Sequence, residues 1–461
     1  MNSKYRNEIR RTRHATKQAL HLWLVTGFAL GAGACSLDGL TGSDTLPLDM
    51  SEPETIESPK GAMAAYNGVV AQFRSAFGEG NSVVLVGGIV SDELSVSALD
   101  AIDQRQLPEE IDNSRAKQIY SKLHQVRGQA SQVVRLLELH APDTLQALRA
   151  HVHAITGYAE IFLADLFCSG VPLSTIDFDG DFTYARPSTT TEIYQHAISL
   201  FDLARVHAGD STRFDYLARV GKARALLALG QYDSAAVTVA EVPDDFRFEV
   251  NYKVPVSGEV GGSNVFIHTG NSYWTYPVSE GEGLNGLDYI TSNDPRTQSS
   301  LIYGVNNTIR HPDKYARDGS SPILLASGIE ARLIEAEAAL NAGDPAWLDK
   351  LNHLRQTMWT TIVPAVGGPL PDLTDPGTFD ARVDLLFRER AFWLFLTGQR
   401  QGDMRRLIRH YGRMQNEIYP IGPYTWSNIP GLSYGSDVDL PIPNAERVSN
   451  PYFDGCLSRG A

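Results

Sequence analysis

Cysteine is scarce in this chain: 461 residues contain three, at 35, 168 and 456. That count excludes a disulfide framework and a four-cysteine metal site. Long apolar runs are missing too, since the stretch at residues 19–34 (ALHLWLVTGFALGAGA) is short for a bilayer span. Basic charge is in deficit, with 40 Lys and Arg against 54 Asp and Glu and a formal net charge of −14. A nucleic-acid partner wants a basic face, so none is expected. His-Glu-x-x-His is absent, and His151 and His153 have the wrong spacing to share a helix face; they are expected on the surface or in a groove. The Gly-rich run 258–262 is followed by no Gly-Lys-Ser/Thr, and no EF-hand spacing occurs, so neither a phosphate loop, a cofactor nor a metal is predicted. One Gly-x-Ser-x-Gly lies at 431–435, but it follows Pro430 in a loop-rich tail and no histidine comes after Ser433. The Ser–Asp–His order of a hydrolase elbow cannot be completed, and the motif reads as a turn. Carboxylate pairs such as Asp244–Asp245 could in principle serve a glycosidase, but sequence does not show two of them facing one cleft.

What is present starts at the N-terminus. Residues 4–17 are basic, 19–34 are apolar and end in Ala32-Gly33-Ala34, and Cys35 follows. That order is a secretory signal, expected over residues 1–34. The small residues leading into a cysteine resemble a bacterial lipoprotein signal, in which Cys35 would carry the lipid and begin the mature chain. Ala32 stands where an aliphatic residue is usual. Cleavage there would leave 34 basic and 53 acidic residues, a formal −19. Residues 35–58, rich in Ser, Thr, Asp, Glu and Pro, read as a flexible tether. Cys168 and Cys456 remain for the body. They either bridge, stapling the C-terminal tail, or stay as two free thiols.

The body, 59–461, is predicted to be mainly α. Amphipathic segments are expected at about 60–77, 114–139, 144–167, 190–207, 213–240 and 329–357, the last turning at 341–345. Gly230, Tyr232 and Ala235 have the turn and close-packing pattern of a tetratricopeptide-like hairpin. The pieces predict helix pairs stacked as degenerate repeats, a helical scaffold over about 59–242 and 323–411. Loop-rich excursions interrupt it at 243–322, 359–380 and 412–461, with a few short β-like runs such as 265–268. Residues 384–411 (DLLFRERAFWLFLTGQRQGDMRRLIRHY) contain no proline and are expected to form one buried helix, with Arg400 and Asp403 able to meet on one face. Charges so close to a core are costly unless paired, which predicts a structural ion-pair network.

That helix resembles the C-terminal signature of the SusD/RagB family through Glu389-Arg390, Gly398-Gln399-Arg400 and Asp403-Met404-Arg405-Arg406. Trp393 and Thr397 depart from it, standing where acidic residues are common, as does Gly402 where an aromatic is common. Further matches fall in family order: Ala64 to Gly68, Ser91-Asp92-Glu93, Tyr158 to Pro172, Asn293 to Arg296 with Lys314-Tyr315, Glu330 to Ala339, and Leu440 to Pro443 with Asn450-Pro451. The resemblance covers residues 35–461. It implies a SusD-like tetratricopeptide scaffold, lipid-anchored on the outer face of the outer membrane. It also implies a SusC-like TonB-dependent transporter as partner and a glycan or peptide as ligand, without catalysis.

The ligand-binding residues are chosen by chemistry alone. Sugars stack their C–H faces on aromatic rings and seek amides and carboxylates with their hydroxyls. Trp274 and Tyr276 come first, then Tyr273, Tyr289 and Tyr303, with Asn271 and Asp288 as polar partners. The competing reading of each ring is that it packs a loop onto the scaffold. The competing reading of the whole chain is a scaffold lipoprotein that binds another protein.

Overall fold

The computed structural model describes residues 57–461 except 98, 110–111, 178–180, 255–261, 268–275, 304–307 and 425–430. The predicted signal and the tether up to residue 56, with Cys35, lie outside the described residues, and Ser58 at the end of the tether already caps the first helix. Helices α1 (Pro59–Gly78) and α2 (Val83–Val90) open the body, followed by α3 (Ser114–His140), α4 (Leu148–Leu166), α5 (Thr190–Ala208), α6 (Thr212–Ala228) and α7 (Tyr232–Val239). After the first long excursion come α8 (Gly328–Asn341), α9 (Ala346–Thr357), α10 (Phe379–Trp393), α11 (Arg400–Tyr411) and the short α12 (Gln415–Ile418) and α13 (Asn444–Ser449). No helix among the described residues is long and apolar enough to cross a membrane.

The helix starts follow the chain's own capping chemistry. Ser58 Oγ accepts the Gly61 amide with Pro59 in the first turn, Thr189 and Glu192 cap α5 reciprocally, and Ser327 accepts the Glu330 amide at α8. The long helices form a row in which each packs on the next: α1 on α3, α3 on α4, α4 on α5, α5 on α6, α6 on α7, α7 on α8 and α8 on α9. This is the predicted tetratricopeptide-like scaffold. Gly230, at φ +71°, turns the chain between α6 and α7, and Ala235 is fully buried in the approach of the pair. His151 is not on the surface. It is a core residue of α4, bonded to Tyr66 Oη at 2.8 Å and stacked on Phe214, and burial pulls its imidazole down to about 3.

Strands are few and short. The described residues contain four two-stranded antiparallel pairs: β1 (Val171–Pro172) with β4 (Pro187–Ser188), β2 (Thr175–Ile176) with β3 (Phe182–Thr183), β5 (Arg247–Val250) with β8 (Ile323–Ser327), and β6 (Ser299–Tyr303) with β7 (Thr308–Pro312). The β5–β8 pair closes the base of the 243–322 excursion, where the chain leaves and rejoins the helical row. Val265–Ile267, read as β-like, is instead a turn of 3₁₀ helix. The Gly431–Gly435 motif is a turn, with Ser433 bridged to Pro423. Cys168 and Cys456 are bridged, with Cα atoms 5.9 Å apart, and backbone bonds between Ser169 and Leu457–Ser458 seat the tail beside the bridge.

The expected single helix over 384–411 is two helices. Residues 394–399 break it, with Leu396 at φ +54° and Gly398 at φ +78°, and distant side chains hold the break open. Lys314 Nζ donates to the Phe395 carbonyl, Tyr315 Oη to the Leu396 carbonyl at 2.9 Å, and Glu93 Oε1 accepts the Leu396 amide at 2.8 Å. Backbone groups that a helix would have paired are thus satisfied from two other segments. The break also re-sorts the ion pairs. Arg400 turns from Asp403 and forms a fork with Asp92, at 2.7 and 2.9 Å. Asp403 instead joins Arg390 and Arg406, which share Glu337.

Candidate functional site

The loop-rich excursions converge on the segment after α2. Residues 93–95 run antiparallel to 277–279: Ser95 N–H donates to the Pro277 carbonyl at 3.1 Å and Ser279 N–H to the Glu93 carbonyl at 3.0 Å. The Val278 amide reaches on to the Arg310 carbonyl of β7. From the tail, Arg105 donates to the carbonyls of Pro420, Gly435 and Asp437, and Gly435 N–H donates to the Gln104 carbonyl. Arg105 is almost fully buried and adopts φ +54°, uncommon for a side-chain-bearing residue, so the tail contacts hold a strained turn in place.

Beneath this junction two buried carboxyl groups, Asp103 and Glu282, lie beside each other. Tyr424 Oη donates to Asp103 at 2.7 Å, and Tyr434 Oη and Ser279 Oγ donate to Glu282 at 2.9 Å. Burial raises both acids, and the proximity of Asp103 raises Glu282 further. Five residues from three loops are locked here.

Within the junction stands Tyr276, one of the residues chosen from sequence, with its side chain buried at 8% exposure. Its hydroxyl meets Arg115 Nη1 at 2.8 Å, and the Arg115 guanidinium lies 5.2 Å from its ring centroid. Arg115 sits at the start of α3, where Asn113 caps the helix, and also donates to Asp100 at 3.1 Å and Asn81 at 3.0 Å. An aromatic ring, a guanidinium, a carboxylate and an amide thus sit within one hydrogen-bonded group. Sugar hydroxyls are recognised by side chains of these types. Asn81, Asp100 and Arg115 were missed in the sequence, because they come from the α1–α2 turn, a loop and a helix start, and nothing local marks them as neighbours.

The other chosen residues scatter. Asn271, Tyr273 and Trp274 lie outside the described residues, next in sequence to Tyr276. Tyr303 is placed by its backbone, as the last residue of β6 opposite Thr308. Tyr289 is packing: it is 1% exposed, its ring lies against Phe392 and Phe395, and its hydroxyl bonds Asp92. A ring covered in this way has no face for a ligand. Asp288 is engaged with Arg388 at 2.6 Å, away from the partners of Tyr276, and the guanidinium bond holds its carboxyl below the usual range. Asp244, from the carboxylate pair noted in the sequence, is taken by His353 and Arg332. Among the described residues no three His, Cys, Asp or Glu side chains cluster as a metal site.

No family sequence model and no curated protein sequence matches this chain. Solved structures do. A SusD superfamily protein from Bacteroides thetaiotaomicron superposes with a TM-score of 0.64 at 14% identity, covering 87% of this chain and 100% of its own. A SusD homolog from the same organism gives 0.64 at 14%, covering 88% and 99%. A SusD-like carbohydrate binding protein from Bacteroides vulgatus gives 0.61 at 14%, covering 86% and 97%. At such identity the likeness speaks to architecture: this chain has the SusD-like fold across its described body.

Proposed function

We propose that the protein is a non-catalytic, surface-anchored binding lipoprotein of the SusD/RagB type. It captures an oligosaccharide, or alternatively a peptide, and passes it to a SusC-like TonB-dependent transporter. The observation that carries this reading is the SusD-like fold over most of the chain, shared with solved structures that include a carbohydrate-binding protein. The convergence of three loop regions on Tyr276 and Arg115 supports it, since loops held on a rigid scaffold are where binding groups concentrate. The lipid on Cys35 and the outer-membrane location rest on the signal-like order of residues 4–35.

Calorimetric titration with a panel of neutral and acidic oligosaccharides and short peptides tests the reading. Binding of at least one glycan, weakened about tenfold or more by Trp274→Ala or Arg115→Leu with melting temperature held within a few degrees, is the expected result. A ligand whose affinity ignores both substitutions would place the site elsewhere. Absence of any binding would move weight to a scaffold that binds protein alone.

A further inference from the structure

The break between α10 and α11 has a second face. There a cavity of about 110 Å³ opens beside Lys314, Arg247, Trp393 and Thr397, at the meeting of the 243–322 and 359–380 excursions. A single water needs only ~10–15 Å³ of such space, so the cavity has room for a carboxylate and several carbons. Its lining contains three cations, Arg247, Arg296 and Lys314, and no carboxylate. Arg296 is spent on Asp294 and Glu389, and Arg247 shares its charge with Glu249 at the rim. Lys314 is different. Its ammonium donates to the Phe395 carbonyl and lies over the rings of Tyr315 and Phe395, and it forms no ion pair with a carboxylate among the described residues.

A half-buried cation without a direct carboxylate partner is costly. Glu93 favours the ammonium from a distance, but burial, the larger effect on each, pushes Glu93 up to about 8 and pulls Lys314 down to about 8. Trp393 and Thr397 both line this cavity. Trp393 Nε1 is buried without an acceptor among the described residues, a further donor unspent in the same wall. Beside the polar Thr361 and Thr397, the wall carries apolar side chains from Ile329, Ile362 and Phe392. That mixture suits an anion with a carbon body better than a bare inorganic ion.

We infer that this cavity is a binding site for the carboxylate end of a small organic acid, with Lys314 as its charge partner and the apolar wall receiving the ligand body. The shared chemistry, a carboxylate on a compact carbon frame, belongs both to an acidic sugar and to the C-terminal residue of a peptide. The inference is separate from the Tyr276 site and stands if capture there fails.

The test is calorimetric titration of the full chain with two matched pairs: D-galacturonate against D-galactose, and N-acetyl-L-phenylalanine against its amide. Sulfate serves as the inorganic control. At least one acid should bind, its neutral counterpart and sulfate at least tenfold more weakly, and the stronger acid identifies the source. Lys314→Met should weaken the acid tenfold or more. Because Lys314 also props the helix break, Val363→Glu is the second variant: Val363 lines the cavity, is 54% exposed, and brings a repelling carboxylate without disturbing the core. It should weaken the acid to a similar degree. Acids that bind no better than their neutral partners or than sulfate, no binding at all, or binding indifferent to Val363→Glu would each overturn the site.

Discussion

Replacing Asp403 by Asn keeps its shape and removes one charge from the most enclosed ion network in the protein. The carboxylate accepts from Arg390 Nε at 2.8 Å, Arg390 Nη2 at 2.9 Å and Arg406 Nη2 at 2.8 Å. Glu337, with Arg406 at 2.6 Å and Arg390 at 3.7 Å, is the second acid of the group. Two cations therefore face two anions, and none of the four side chains is more than 7% exposed. Burial alone would raise the Asp403 carboxyl, but Arg390 and Arg406 overcome it and hold the group at about 2. After substitution two guanidiniums face one carboxylate in a site almost closed to solvent. Breaking a buried pair in this way costs about 3–5 kcal/mol. For a body of this size that is ~5 °C in melting temperature. Urea unfolding should show the midpoint falling with an unchanged slope. Asp375→Asn, at the exposed pair with Arg382, is the control and should leave the midpoint where it is. A loss under about 1 kcal/mol for Asp403→Asn would refute the reasoning, since the network would then be relaxed or wet.

Other consequences are open to direct measurement. Cys456→Ser should lower stability by about 2–4 kcal/mol, because the bridge closes a loop of 288 residues; unchanged urea unfolding would show that the bridge constrains little. Glu93→Gln should flatten the pH dependence of stability between about pH 4.5 and 8. The folded Glu93 keeps a proton that the unfolded chain releases, so wild-type stability falls as pH rises through that window, by up to about 1.4 kcal/mol per unit. Equal slopes for the two proteins would contradict the burial argument. Cys35→Ala should release the protein from the membrane fraction, and retention there would count against lipid attachment.

Much of the scaffold can be read from sequence because its signals are local. Ser58-Pro59, Thr189 with Glu192, and Gly230 with Ala235 mark helix starts and a hairpin by their own chemistry, and the structure uses them so. The break at 394–399 has no such mark. Glycine at 398 permits it, but Lys314, Tyr315 and Glu93 supply its hydrogen bonds, and Glu93 lies 303 residues away. The same holds for the proposed binding residues. Tyr276 and Tyr289 look alike in a loop-rich stretch; one meets Arg115 at the start of α3, the other is clamped between Phe392, Phe395 and Asp92. Aromatic composition points to the region, while the choice between ligand surface and packing is made by partners distant in sequence.

Affinity purification of the full-length protein from the membranes of its own cells tests the central proposal most directly. The account predicts that a large TonB-dependent barrel co-purifies in a fixed ratio and is retained at moderate salt. Recovery of the protein alone, or with a soluble partner and no barrel, would contradict it.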